Sequence, residues 1–230
     1  MLNPHAIRAI SLDLDDTLWP MVPVIARAEQ GLQDWLSTHA PRTAALPLDV
    51  RQRLRRQVHA DHPQMAHDLS FLRREAIRAC LREAQEDPKL AEPAFDVFFA
   101  LRQQVVFYPG KLEALARLAE RYPLVAVSNG NADIFQTEAA PYFQAAISAR
   151  ALGVAKPDRR IFEAAAQAVQ LPLSALLHVG DDAHTDIHGA RAVGMSVAWI
   201  VPPDTAWPTE KGSAPPRFAH LRELCDHLLA

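Results

Sequence analysis

Two aspartates one residue apart, Asp13 and Asp15, follow a short apolar run in the segment Ser11-Leu12-Asp13-Leu14-Asp15-Asp16-Thr17-Leu18. If the run Ile10–Leu14 is a strand, alternation sends Asp13 and Asp15 to one side and Leu12 and Leu14 to the other. Two carboxylates so placed repel each other unless a cation or a shared proton intervenes. A hard divalent cation with oxygen ligands meets that need, and Mg²⁺ is the usual one. The competing reading is a pair of solvated loop acids that cap the next segment. A buried strand leading into two acids is costly without a use for them, which favours the functional reading.

A second acidic cluster, His178-Val179-Gly180-Asp181-Asp182-Ala183-His184-Thr185-Asp186, follows another apolar run, Leu176–Gly180. Clusters at neighbouring strand ends would share one metal. Asp181 lies nearest the strand end and is the better ligand candidate. The alternative is a helix N-terminus that collects Asp to suit its dipole, a role Asp186 fills in part. Ser128-Asn129-Gly130 ends a third apolar run, where a hydroxyl, an amide and a Gly that frees the backbone can hold a phosphate oxygen; most such triplets are ordinary turns. Lys156-Pro157-Asp158 precedes a helical pattern. Lys156 gains meaning only if acidic or phosphate groups lie within its reach, where a fixed positive charge offsets theirs.

The elements that must position these residues are short strands separated by helices. Ile10–Leu14, Leu124–Ser128, Ala145–Ser148, Leu176–Gly180 and Val197–Val201 read as strands, the third weakest, and apolar enough to be covered on both faces. Lys111–Arg121 and Asp158–Gln170 carry apolar stripes at helical spacing, with Asp158 as N-cap. Thr185–Val193 reads as a short helix closed by Gly194. From about residue 106 helix and strand alternate, the signature of an α/β, doubly wound, Rossmann-like parallel sheet. Residues 21–105 show only helical periodicity, in Val24–Leu36, Leu48–Ala60, Leu69–Ala84 and Ala94–Val105, with Pro41, Pro47, Pro63, Pro88 and Pro93 at the joins. The expected organisation is a core of residues 1–20 and 106–230, with an all-helical domain, 21–105, inserted after the first strand. Pro202–Pro216 reads as a loop before a last helix, Arg217–Leu229.

Composition bounds the alternatives. The chain has 230 residues, 49% of them hydrophobic, a net charge of −3 and two cysteines, Cys80 and Cys225. That length buries a sizeable core. The balanced charge gives no electrostatic reason for a nucleic-acid or membrane-surface partner. Two cysteines make no disulfide framework, no apolar run spans a bilayer, and the first residues lack a signal peptide's apolar region, so the expectation is a cytoplasmic, soluble protein. With 8 Gly, neither the dinucleotide loop nor the P-loop is present.

In order, D-L-D-D-T, S-N-G, K-P-D and G-D-D-x₃-D on these elements resemble the haloacid dehalogenase superfamily, in its phosphatase branch with a helical cap after the first strand. The resemblance covers about 145 residues of the core, and the cap agrees in position and helical type. It implies that Asp13 is a nucleophile forming an aspartyl-phosphate and that Asp15 is a general acid/base. It implies further that Ser128, with the backbone of Asn129 and Gly130, binds the phosphoryl group and that Lys156 steadies its charge. Asp13, Asp181 and the backbone carbonyl of Asp15 would hold Mg²⁺, while Asp186 and Asp182 support the metal's water shell and Lys156. Dehalogenases of the superfamily lack the second Asp of the pair, because halide leaves without a proton, so Asp15 favours phosphate-ester hydrolysis.

Over its length the chain looks most like bacterial phosphatases of flavin mononucleotide and the riboflavin precursor 5-amino-6-(5-phospho-D-ribitylamino)uracil. Nucleoside monophosphates and sugar phosphates are the alternative substrates. The expected partner is a small phosphorylated metabolite, with no nucleic acid, membrane or obligate protein partner. A phospho-acceptor signalling module also uses acids, a hydroxyl and a Lys on a parallel sheet, but has no cap after its first strand. Residues 40–105 hold 11 Arg or Lys against 9 acids, ten of the bases being Arg; some could meet an anionic substrate, though solvated helix faces are the simpler reading. His59, His62 and His67 read as surface residues. Trp19 and Pro20 either line the entrance or pack at the hinge.

Overall fold

The computed structural model describes residues 2–208 and 212–230. The chain divides into two compact units, one of residues up to Pro20 with Val106–Ala230, the other Met21–Val105. Along the chain, strand β1 (Ala9–Leu12) is followed by helices α1 (Met21–His39), α2 (Pro41–Ala44), α3 (Leu48–Asp61), α4 (Leu69–Glu83) and α5 (Ala91–Arg102). Then come α6 (Lys111–Ala119), β2 (Leu124–Ser128), β3 (Ala145–Ser148), α7 (Ala149–Leu152), α8 (Arg159–Ala168) and β4 (Leu176–Gly180). A π-helical turn (Ala183–His188), α9 (Gly189–Ala192), β5 (Ser196–Ile200), β6 (Arg217–Phe218) and α10 (Leu221–Leu229) complete the order.

The six strands form one parallel sheet in the order β3-β2-β1-β4-β5-β6. Every residue of β1, β2 and β4 is buried, as expected of central parallel strands covered on both faces. Edge strand β3 is only half-buried. α8 presents Ile161, Phe162, Ala165 and Ala166 to this core, and Asp158 caps it by accepting the Arg160 N–H at 2.9 Å. Among the described residues no helix is long and apolar enough to cross a membrane.

The structure differs from the sequence reading at several places in the α/β unit. β1 stops at Leu12 rather than Leu14, because the chain turns sharply: Asp16 adopts φ +57° and its N–H donates to the Trp19 carbonyl at 2.8 Å. No α-helix separates β2 from β3. Two 3₁₀ turns, Ile134–Gln136 and Ala140–Tyr142, do so, the first held by Asp133 and the second carrying Pro141. The helix expected from Thr185 starts at Ala183 as a π turn. The last helix starts at Leu221, since Arg217 and Phe218 pair with Trp199 and Ile200 as an edge strand. Within the expected loop Pro202–Pro216, residues 209–211 lie outside the described residues.

The helical unit has its own core. Ala28, Leu32 and Leu36 of α1 pack with Ile77 and Leu81 of α4 and with Ala94, Phe95 and Phe98 of α5. α1 approaches α5 so closely at Gly31 that an added Cβ would lie 2.1 Å from a Leu101 methyl. The short α2, not foreseen from the sequence, is held by Glu86, whose carboxylate accepts from the Arg42 N–H at 3.0 Å and the Thr43 N–H at 2.8 Å. His59 is exposed, and His62 packs edge-on to Phe71.

Candidate active site

The register of β1 against β4 builds the site. Ser11 lies opposite His178, and the ladder continues past the strand end, where the Asp13 N–H donates to the Val179 carbonyl at 2.9 Å. Residues two apart share a face, so Ser11 and Asp13, with His178 and Gly180, look to one side of the sheet. Lys156 arrives there from the loop before α8. Its Nζ donates to Asp13 Oδ1 at 2.5 Å and to Asp186 Oδ1 at 2.7 Å. Asp186 Oδ1 also meets His178 Nε2 at 3.2 Å, and Asp186 Oδ2 accepts the Asp182 N–H at 3.0 Å. Gly180 leaves the room for this: a Cβ there would lie 2.3 Å from Asp186 Oδ2.

Thr17 closes the other side. Its hydroxyl lies 3.3 Å from Asp13 Oδ2 and 3.0 Å from Asp181 Oδ1, one proton between two carboxylates. Trp199 Nε1 fixes the Asp181 backbone by donating to its carbonyl at 2.6 Å. Oxygen atoms of Asp13, Asp181 and Asp186 lie within 4.8 Å of one another. Asp13 and Asp186 share the Lys156 ammonium, with Asp181 close by, and the protonation of the three acids reflects this crowding. Burial, with the charges of Asp186 and Asp181 added and that of Lys156 subtracted, pushes Asp13 up to about 8. Burial and Asp186 push Asp181 up to about 7. Asp186 goes the other way: burial alone would raise it, but the Lys156 charge and the hydrogen bond from His178 hold it below the usual carboxylate range. Burial lowers His178 below its ordinary value, against the pull of Asp186.

This donor set fits a hard divalent cation. Only the shared Thr17 proton stands between Asp13 Oδ2 and Asp181 Oδ1, whereas both oxygens of Asp186 already accept hydrogen bonds. A cation between Asp13 and Asp181 would favour the ionised form of both carboxylates against the burial that raises them.

The other residues singled out from sequence take up different positions. Asp15 Oδ1 accepts from Trp19 Nε1 at 2.9 Å, and Trp19 is fully buried, edge-on to Phe107, so it packs rather than lines an entrance. Ser128 is buried at the end of β2, its Oγ accepting the Gly130 N–H at 2.9 Å. Asn129 does not offer its side chain to a ligand. Its Oδ1 accepts the Lys156 N–H at 2.7 Å and its Nδ2 donates to the Lys156 carbonyl at 3.0 Å, clamping the loop that carries the ammonium. Asp182 Oδ1 caps the π turn by accepting from the N–H groups of His184 and Thr185 and from the Thr185 hydroxyl, which is the dipole role first given to Asp186. Sequence reasoning missed Thr17, His178 and Lys111. The first two stand inside the quoted motifs, but only the β1–β4 register shows their partners. Lys111 opens α6 nine-tenths buried, its ammonium 5.7 Å above the Tyr108 ring, and Asp181 is the negative charge that bears on it.

A family model described as haloacid dehalogenase-like hydrolase matches residues 7–194. The chain is 32% identical over 200 residues to 5-amino-6-(5-phospho-D-ribitylamino)uracil phosphatase YigB of Escherichia coli (strain K12), spanning 85% of this chain and 84% of that one. It is 29% identical over 160 residues to phosphoserine phosphatase of Thermus thermophilus, 66% of this chain and 63% of that one. The crystal structure titled 2-haloacid dehalogenase from Pseudomonas syringae pv. Tomato DC3000 superposes with a TM-score of 0.90 at 35% identity, covering 97% of this chain and 98% of that one.

Proposed function

We propose that this chain, which belongs to the haloacid dehalogenase-like hydrolases, is a Mg²⁺-dependent phosphatase that works through an aspartyl-phosphate on Asp13. Among the described residues, Asp13 is the one carboxylate that touches both the ammonium of Lys156 and the Thr17 hydroxyl. In the proposed reaction Asp13 attacks phosphorus, the P–O bond to the leaving group breaks, and Asp15 delivers a proton to the departing alkoxide. Asp15 then takes a proton from the water that cleaves the acyl phosphate, releasing inorganic phosphate and restoring Asp13. Asp13, Asp181 and the backbone carbonyl of Asp15 would hold the cation, whose part is to neutralise charge on the phosphoryl oxygens. Lys156 holds Asp13 and the phosphoryl charge in place, oriented by Asn129 and Asp186. Ser128 and the Gly130 backbone receive a phosphoryl oxygen.

The observation that carries the reading is Asp15, a second acid beside the nucleophile, oriented by Trp19. A halide needs no proton to leave; an alkoxide does. The small phosphorylated substrate is proposed to be flavin mononucleotide or 5-amino-6-(5-phospho-D-ribitylamino)uracil, in a cytoplasmic enzyme with the helical unit as its cap, and the relative named for the second compound supports this choice. Because the similar crystal structure is titled a dehalogenase, the second reading is hydrolysis of a 2-haloacid. The test is a screen of phosphorylated metabolites, flavin mononucleotide included, beside chloride release from 2-chloropropionate. Phosphate release that falls on the order of 10²-fold or more in Asp15→Asn supports the first reading. Chloride release, unchanged in that variant, supports the second and overturns the first.

A further inference from the structure

The helical unit holds a partly open cavity of about 480 Å³, within the size range of small-ligand sites. It opens among α1, α3 and α4, and none of its lining residues belongs to the α/β unit. Three guanidinium groups converge on it, those of Arg51, Arg55 and Arg73, against a single carboxylate, Glu29. Glu29 is shared: it pairs with Arg73 and lies 3.9 Å from Arg55. Arg51 has only a neutral partner there, its Nη1 donating to Gln33 Oε1 at 2.7 Å, while its buried Nε has no hydrogen-bond partner. The wall thus holds more positive charge than it neutralises, and a buried N–H left unpaired is costly. The lining also includes apolar side chains, Leu32 and Leu36 of α1 with Ala76 and Ile77 of α4.

We propose that this cavity is a binding site for a small organic oxyanion, its carboxylate or phosphate head held by Arg51, Arg55 and Arg73 and its apolar body lying against Leu36 and Ile77. The head suits the forked geometry of guanidinium groups, which bind planar or tetrahedral oxyanions through paired N–H donors. The body suits the aliphatic side chains. Burial and the neighbouring Arg73 already press the Arg55 charge, which an anion would relieve. The proposal does not depend on the reaction at Asp13, and its test does not read activity.

The full chain is titrated with 3-phenylpropionate, with phenylphosphonate and with the uncharged 3-phenylpropionamide, following arginine Nε–H and isoleucine methyl resonances. Either acid is expected to move the Arg51 Nε–H and the Ile77 methyl signals together, and the tighter of the two identifies the head. The amide is expected to move neither. Arg51→Gln should weaken the acid about tenfold or more. If that variant does not fold, Arg55→Gln, an exposed position on α3, carries the same comparison. No shift at Arg51 with either acid, equal binding of the amide, or equal affinity in a folded Arg variant overturns the proposal.

Discussion

Lys156 and Arg73 both face carboxylates, yet their surroundings differ. Lys156 meets Asp13 and Asp186 with side-chain exposures of 2%, 11% and 1%. Arg73, 12% exposed, meets Glu29, which is 41% exposed. The first group is placed by backbone: the β1–β4 ladder sets Asp13, Asn129 clamps both sides of the Lys156 residue, and Gly180 leaves space for Asp186. The second is placed by side chains leaning from three helices. Where backbone fixes the charges, a change of single atoms should be costly. Where flexible side chains meet in reach of water, it should not.

The sharpest break is Asp13→Asn, which removes the nucleophile and keeps its shape. Phosphate release from p-nitrophenyl phosphate with Mg²⁺ should fall on the order of 10⁴-fold or more, and undiminished activity would rule Asp13 out. Lys156→Met should come next, since it leaves Asp13 and Asp186 buried beside no cation. Urea unfolding should show a loss of about 3–5 kcal/mol; a change within error would mean that the ammonium does not hold the site together.

The pH response follows from the same crowding. Asp13 and Asp181 retain their protons in the metal-free fold up to about 8 and about 7, but ionise near 3.8 when unfolded. The folded state then binds more protons, so stability falls as pH rises through that window. Below 6.5 the lowered His178 acts in the opposite sense, and toward 8 so does Lys111, lowered from 10.5 to about 8, which makes the clean interval about 6.5 to about 7. Chelator-treated protein should lose thermal stability across it and Mg²⁺ should remove the decline; a rising or flat curve in chelator would contradict the site's charge balance. The smallest effect belongs to the helical unit. Arg53→Ala breaks an exposed pair with Glu83, 3.0 Å long, and should cost between about 0 and 1 kcal/mol. A larger loss would show that this unit too is rigidly specified.

The same contrast explains what could be read before the fold was known. Asp13 and Asp181 were legible because each stands just beyond a strand end, where chain position alone sets direction, whereas Lys156 and Asp186 took their parts from the family resemblance. Their partners were not legible. Ser11 and His178 meet across a separation of 167 residues, and nothing local announces that register. Asn129 looked like a ligand because amide and turn share a sequence signature, yet its side chain serves the Lys156 peptide. Asp182 takes the capping part expected in part of Asp186, accepting from the open N–H groups of the π turn, while Asp186 meets Lys156 as the resemblance implied. In the helical unit the periodicities of α1, α3, α4 and α5 were clear, whereas α2 depends on Glu86 more than forty residues away. The arginine cluster was visible only as composition, since facing sides of three helices must be assembled before their charges converge.

The central strand also carries a cost in time. β1 has no hydrogen-bonded neighbour until Leu124 of β2 exists, and its other neighbour, β4, starts at Leu176. A chain growing at about 5–20 residues per second leaves the ribosome with β1 unpaired for on the order of ten seconds. Meanwhile the helical unit, complete by residue 105, can assemble from contacts within its own sequence. Ile10 and Leu12, both fully buried at the end, stay exposed throughout that interval. The nascent chain is therefore most open to chaperones, and to aggregation, at the strand that will carry Asp13.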